Sequence, residues 1–276
     1  MRYLYIFIPV LVAIMTTSCQ KNFLTRDNPT STTDEQWWTT DAELQSALAV
    51  VYGGMPAGCY QYTHNSYASF SGETDDAEWH ANYFSEINIV AQGNATPDLP
   101  LEKLSVVTNA IYPLWQTDYA MIRDANRFIE HAAKAYDDST LIKRYIMEAR
   151  ALRAWYHLDL FLYYGANIPL VTTSVTPDAS AQPAAGLNKL IPFITSELEA
   201  CAGALPVSYP SNNDRYRITK GTCLTLEAWA FLNAHMYPEA AAAAKKVIDL
   251  GVYHLYYNTA DSAYSHRDLF LYTGSS

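Results

Sequence analysis

The chain has 276 residues, half of them apolar, which is enough to bury a core and excludes global disorder. Its formal net charge is −10 and it has no basic stripe, so a nucleic-acid partner is excluded, because neutralising phosphates requires clustered Lys and Arg. The 22 tyrosines and 6 tryptophans give much of the aromatic surface a polar group, which favours recognition surfaces, with packing between helices as the alternative.

The first 18 residues have the pattern of an export signal. Arg2 gives a basic start, and the apolar run at residues 4–15 is too short for a membrane-spanning helix of about 20 residues. Small residues stand directly before Cys19, as a lipoprotein signal peptidase requires. We therefore predict a lipoprotein signal peptide at residues 1–18 and a lipid anchor on Cys19, since two or more acyl chains hold a protein stably on a membrane. The alternative is an ordinary secretory signal and a released protein.

Three cysteines remain once Cys19 is set aside, namely Cys59, Cys201 and Cys223, and they have no C-x-x-C spacing. This odd number predicts neither a disulfide framework nor a zinc site. Cys201 and Cys223 lie in helical patterns and are predicted to be small buried apolar residues. One bridge among the three cysteines is the open alternative.

A polar stretch with Pro29 follows the anchor, and we interpret residues 19–33 as a tether that leads into one helical domain, residues 34–276. The first helix is predicted to start after Thr40, because apolar side chains recur at helical spacing over residues 41–51. The next segment, residues 53–100, has no periodic pattern. Long irregular segments in compact domains tend to be functional.

This irregular segment combines aromatic rings with short polar side chains. Aromatic faces stack on the apolar faces of sugar rings, while carboxylates and amides bond to hydroxyl groups. The composition therefore predicts a ligand face for a carbohydrate or another amphipathic ligand. Alternatively, the same side chains pack the segment onto the helices. The candidate ligand-binding residues are Tyr62, Asp75, Asp76, Trp79, His80, Asn82 and Tyr83.

Helical periodicity dominates from residue 104 onward. Pro113 is predicted to kink or divide the first helical stretch, residues 104–129. Another helix is predicted over residues 140–164, with one apolar face and Gly165 as its stop. A short extended piece and further helices follow, at residues 168–171, 187–204, 218–235 and 238–250.

The last two of these helices form a hairpin with a short turn before Pro238, similar to a tetratricopeptide unit, whose period is about 34 residues. One such unit cannot bury its apolar face alone, so several stacked hairpins are expected. The predicted fold class is mainly all-α: stacked tetratricopeptide-like hairpins with long irregular loops that form a ligand face. The residues predicted to point inward are Cys223, Leu226, Ala230 and Ala234 on the first helix and Ala240, Ala244, Val247 and Ile248 on the second.

Common enzyme signatures do not occur in the sequence: there is no Gly-rich phosphate loop, G-x-S-x-G elbow or H-E-x-x-H helix. We therefore predict no catalytic residues, no metal ligands and no cofactor, and expect that the protein is not an enzyme. His64 and His80, together with acidic residues between 73 and 78, have the composition of a divalent-metal site or a glycosidase acid pair. Their spacing supports neither, and a solvated acidic loop is the alternative.

Residues 148–171, EARALRAWYHLDLFLYYGANIPLV, resemble the central signature of the SusD/RagB family. Three further pieces occur in the family's order: Phe23 and Leu24 after Cys19, residues 115–126, and residues 219–250. The resemblance implies a helical fold and an outer-membrane lipoprotein that faces the exterior, binds glycans or other nutrients and delivers them to a TonB-dependent SusC-like transporter. Within the signature we interpret Arg150, Arg153 and Asp159 as a structural ion-pair network.

Members of this family are typically much longer, so we expect the helical domain to be incomplete at its C-terminus. This leaves a second hypothesis, a truncated helical-repeat scaffold or interaction protein that binds no ligand. A third hypothesis, a surface glycosidase, requires a tuned carboxylate pair in the irregular segment, with Asp75 or Asp76 as a member.

Overall fold

A computed structural model of the protein describes residues 37–55, 93, 114–135, 138–175, 182–211 and 214–257. These ranges contain helices and no strand, which confirms the mainly all-α prediction. A short 3-10 helix, Ala132–Lys134, follows the second α-helix. In chain order the α-helices are α1 (Asp41–Gly53), α2 (Leu114–His131), α3 (Ser139–Tyr164), α4 (Leu187–Ala204), α5 (Lys220–Asn233) and α6 (Tyr237–Asp249).

The ends of the helices follow from local sequence. Thr40 caps α1, and the Glu43 side chain returns to the Thr40 backbone N–H at 2.9 Å, so two otherwise unpaired donors are satisfied. Asp138 caps α3, and Gly165 ends it at a positive φ of 69°, which glycine adopts without strain. Pro238 stands in the first turn of α6, where its missing N–H costs nothing. The start and stop signals predicted at Thr40, Gly165 and Pro238 are confirmed.

Helix α3 is the centre of the fold. It packs against α2 on one side and α4 on another, with α1 lying across α2 and α3, and α5 and α6 continuing the stack from α4. Every residue from Ala151 to Phe161 is buried. The prediction of a single buried face is therefore wrong for this part of α3, because neighbouring helices cover it all round.

Helices α5 and α6 form the predicted tetratricopeptide-like hairpin, but the inward face of α6 differs from the prediction. Ala240 and Ala243 are buried and Val247 is half-buried, whereas Ala244 and Ile248 are exposed. Successive residues advance by about 100° around an α-helix, so residues 243 and 247 lie on one side of Ala240, and 244 and 248 on the other. The packed side is the one that carries Ala243.

Trp38 anchors the chain just before α1. Its ring is buried against α2, edge-on to Phe128 at 6.1 Å and stacked on the His131 ring at 5.4 Å. Its backbone has a φ of 80°, a left-handed conformation that costs free energy in any residue with a Cβ. Burial of the indole offsets this cost and fixes the position at which the chain enters α1.

Two cysteine predictions concern described residues and are confirmed: Cys201 and Cys223 are buried and unbridged. Cys59 lies outside the described residues. The short extended piece predicted at residues 168–171 makes a single antiparallel bridge, between Pro169 and Ala184.

Candidate ligand-binding face

The predicted site residues fall in a part of the chain that the structure does not describe. Their grouping into a ligand face therefore stays a prediction, and so does the lipid anchor. The residues concerned are Cys19, Tyr62, Asp75, Asp76, Trp79, His80, Asn82 and Tyr83.

The structure does describe the helices that flank residues 56–113, which we call the frame together with α3. Helix α1 ends just before this segment and α2 begins just after it. At the end of α1, Gly54 packs so closely on α2 and α3 that a Cβ there would lie 2.2 Å from Met121 Cγ and 2.9 Å from the Tyr156 hydroxyl. Met121 lies about two turns from the start of α2. The segment therefore leaves and rejoins the frame at nearby points.

Three aromatic residues lie beside the point of return, and we name them the junction cluster: Trp115, Tyr119 and Tyr164. The Trp115 ring lies 4.9 Å from the Tyr119 ring and is perpendicular to the Tyr164 ring at 5.1 Å. The Tyr119 hydroxyl donates to the Pro169 carbonyl at 2.7 Å, which leaves the more exposed Trp115 to face outward. An exposed indole can stack on the apolar face of a sugar ring. Trp115 enters the sequence-based prediction only through the family resemblance. Its spacing of four residues from Tyr119 is nevertheless a signal that the two rings share a helix face.

Beneath the junction cluster lies a pair of buried acids, Asp118 on α2 and Asp159 on α3. Burial and the neighbouring Asp159 carboxyl raise the pKa of Asp118 to about 8. Burial raises the pKa of Asp159 to about 6, although its hydrogen bond with Asp118 acts in the opposite direction. The pair therefore retains one proton at neutral pH, and Asp118 carries it. The role of Asp118 is not predictable from the sequence, because a lone acid in a helix gives no signal of its partner.

The predicted ion-pair network on α3 is correct for its two arginines and wrong for Asp159. Arg150 Nη2 and Arg153 Nη2 contact the two carboxylate oxygens of Glu197 on α4, at 2.6 and 2.7 Å. Burial favours a raised pKa for Glu197, but the hydrogen bonds from both arginines outweigh it and lower the pKa. Asp159 is six residues beyond Arg153 and points toward α2, because six residues turn the helix by about 240°.

Arg153 also fixes the chain that follows α3. Its Nη1 donates to Asn126 Oδ1 at 2.7 Å and to the Thr172 carbonyl at 2.9 Å. His157 Nδ1 lies 2.9 Å from the Arg153 carbonyl, which only accepts, so Nδ1 carries the proton and Nε2 accepts the Val171 N–H at 3.2 Å. Burial lowers the pKa of His157 to about 4. These contacts identify the signature helix as a scaffold.

A second polar centre lies around Glu148, in the N-terminal half of α3. The buried Glu148 carboxylate accepts from the Tyr52 hydroxyl on α1 at 2.8 Å and from Arg217 Nη1 at 3.0 Å. Tyr52, Arg217 and the fully exposed ring of Tyr216 also line a surface hollow of about 280 Å³ with Gln45 and Ala49. Because Tyr52 and Arg217 already bind Glu148, the hollow offers a ligand little beyond Tyr216 and Gln45.

Two features are absent from the part of the chain that the structure describes. No described helix is both long and apolar enough to cross a membrane. Within the same ranges, no three His, Cys, Asp or Glu side chains come together as metal ligands.

The described residues form stacked helical hairpins, and a long segment, residues 56–113, separates α1 from α2 in the chain. A family model described as "Starch-binding associating with outer membrane" matches residues 22–232. The chain therefore belongs to the SusD-like family, and the resemblance predicted from residues 148–171 is confirmed.

Individual relatives agree with this assignment. A SusD-like protein of Formosa agariphila is 23% identical over 265 residues, which cover 95% of this chain and 48% of that protein. The chain thus spans about half the length of this curated relative. A SusD-like carbohydrate-binding protein from Bacteroides fragilis superimposes with a TM-score of 0.64 at 22% identity, over 80% of this chain and 42% of the other. Surface glycan-binding protein A from Bacteroides thetaiotaomicron, solved with laminarihexaose, gives 0.61 at 19% identity, over 86% and 47%.

Proposed function

We propose that this chain is a non-catalytic, glycan-binding lipoprotein of the outer membrane. In this proposal Cys19 carries the lipid anchor, the domain faces the exterior, and bound oligosaccharide passes to a TonB-dependent SusC-like transporter. The observation that carries the proposal is the family match over residues 22–232, whose description joins starch binding with the outer membrane. The laminarihexaose bound to one structural relative indicates the class of ligand to test first.

The proposed ligand residues are the aromatic and polar side chains predicted between residues 62 and 83, with Trp79 as the main stacking surface. Two features support this placement. The segment is attached to a rigid frame, since α1 and α2 pack on each other and on α3. The partly exposed indole of Trp115 lies in the first turn of α2, just after the segment, and would add to an aromatic surface formed by the proposed residues.

Calorimetric titration tests ligand binding. A soluble form that starts at residue 20 keeps the whole predicted domain, and it is titrated with laminarihexaose and maltohexaose. We expect saturable binding that Trp79→Ala weakens about tenfold or more, which corresponds to about 1.4 kcal/mol. Tyr216→Ala removes a fully exposed ring elsewhere and serves as the matched control, with no expected effect on binding.

The fold of each variant is checked by circular dichroism, so that a loss of binding is not confused with unfolding. A folded protein that binds none of a broad glycan panel would contradict the proposal and favour the scaffold hypothesis. An increase in reducing ends during incubation with glycan would contradict the non-catalytic assignment, and Asp75→Ala and Asp76→Ala would then locate the acid pair.

The anchor and the partner need separate tests. Cys19→Ser should move the protein from the outer-membrane fraction to the soluble fraction and remove the acyl mass from its N-terminal peptide. Affinity purification of the lipidated protein from detergent-solubilised outer membranes should recover a TonB-dependent transporter. Recovery of the protein alone under these conditions would contradict the transporter assignment.

A further inference from the structure

The contact between Asp118 and Asp159 brings together two groups that both normally accept hydrogen bonds. Their exposed fractions are 2% and 6%. Asp118 Oδ2 has no hydrogen-bond donor among the described residues. Two ionised carboxylates cannot remain together in such a place without a cation or a shared proton. No Lys or Arg among the described residues contributes to the pKa of either acid.

The described groups that surround the pair stay uncharged near neutral pH. Helix α2 contributes Tyr119 and α3 contributes Tyr156, and burial raises the pKa of both hydroxyl groups, so they remain protonated. Tyr156 donates to the Val51 carbonyl, and Gly54 packs on its hydroxyl, so α1 meets this region with uncharged groups.

The pair also lies near an aromatic contact between α2 and α3 at the protein surface. Asp118 is one turn beyond Trp115 on α2, and Asp159 is little more than one turn before Tyr164 on α3. Trp115 touches Tyr164 across the same helix interface, at a ring separation of 5.1 Å. A repulsion between the two acids would widen the spacing between α2 and α3, which this aromatic contact bridges.

We propose that one proton shared between Asp118 and Asp159 holds α2 against α3 beneath the junction cluster, a link we name the clasp, and that losing this proton separates Trp115 from Tyr164. The step is a simple deprotonation: Asp118 loses its proton to water, and two adjacent carboxylates remain. Both acids act as positioning residues for the junction cluster. The clasp does not depend on the proposed glycan function, because it concerns helix packing alone.

Fluorine NMR of protein labelled with 5-fluorotryptophan tests the clasp. The Trp115 resonance is assigned from its absence in Trp115→Phe and followed from pH 5.5 to 9.5. We expect the wild-type resonance to move with a midpoint near pH 8. Asp118→Asn keeps a hydrogen-bond donor toward Asp159 but has no proton to lose, so its Trp115 resonance should remain fixed over this range.

Asp124→Asn, on the same helix and ion-paired with Arg123, is the matched control and should titrate as the wild type does. Should Asp118→Asn fail to fold, Asp159→Asn replaces it: the neighbouring charge is lost and the amide can donate to Asp118, so the transition of its Trp115 resonance should shift well below pH 8. A wild-type Trp115 resonance that does not move, or the same movement in the folded Asn variant, would overturn the proposal. Glycan titration at pH 7 reports separately on the proposed function.

Discussion

Arg153 on α3 and Glu197 on α4 form an ion pair of 2.7 Å whose side chains are only 8% and 13% exposed. The same guanidinium binds Asn126 on α2 and the Thr172 carbonyl, so one side chain joins two helices and the chain after α3. Each of these partners would lose a donor if the guanidinium were removed.

Arg153→Ala should therefore destabilise the protein by about 3 kcal/mol, because the Asn126 amide oxygen and the Thr172 carbonyl lose their buried charged donor, while Glu197 keeps only Arg150. Urea unfolding followed by circular dichroism measures the free energy of unfolding. Lys245→Ala, which breaks an exposed pair with Asp249, is the control and should cost less than about 1 kcal/mol. Equal losses in the two variants would show that the Arg153 contacts contribute no more than a surface pair.

His157 predicts a loss of stability in acid. Its pKa is about 4 in the folded protein, against 6.5 for an unperturbed histidine. Between these values the unfolded chain binds a proton that the native state does not, so the free energy of unfolding falls as the pH drops from about 6.5 to 4. Above pH 6.5 this contribution is fully present.

Comparison with His157→Gln isolates this effect. Urea unfolding between pH 7.5 and 4 should show a smaller loss of stability in the variant than in the wild type. The exposed His235 supplies the control variant His235→Gln, which should follow the wild-type profile. Parallel profiles for wild type and His157→Gln would contradict the lowered pKa of His157.

The two adjacent glycines at the end of α1 should respond differently to alanine. A Cβ on Gly53 meets no atom within 4 Å, whereas a Cβ on Gly54 meets Met121 and the Tyr156 hydroxyl. Gly53→Ala should be neutral or stabilise by up to about 1 kcal/mol, because alanine favours the helix. Gly54→Ala should destabilise by about 1–3 kcal/mol through overpacking, as measured by thermal or urea unfolding. Similar results for both would mean that Met121 moves aside at little cost.

Trp38 should be a major contributor to stability although it lies outside any helix. Trp38→Ala removes a buried ring that contacts Phe128 and His131, and should cost about 3–5 kcal/mol. Tyr216→Ala should change the free energy of unfolding by less than about 0.5 kcal/mol, since its side chain is exposed. A Trp38→Ala variant as stable as Tyr216→Ala would show that the chain before α1 packs only loosely.

Several helix ends are predictable because the residues that set them are close together in the sequence. The cap at Thr40, the stop at Gly165 and the early proline in α6 each concern neighbours within one turn, and the structure places helix ends at all three. The small buried cysteines follow from the same helical periodicity.

The polar interior was less predictable because its partners are distant in sequence. Glu148 binds Arg217, which is 69 residues away, and Tyr52, which is 96 residues away. Asp159 was assigned to the arginines because they share a helix, but its partner comes from α2. Periodicity gives the angle of a side chain around its own helix and says nothing about the neighbour that fills the space opposite. The seven predicted ligand residues remain predictions, for they lie outside the described residues.

The close packing of Gly54, at the end of α1, on Met121, about two turns into α2, has a consequence for how such proteins diversify. Because the described helices pack around α3 through their own contacts, residues 56–113 can be exchanged without changing those contacts. Doubling the length of a flexible connection costs only about 0.6 kcal/mol in closure entropy. One helical scaffold can thus carry inserted segments of different length and chemistry. Ligand recognition can then change between related chains while the helices stay the same.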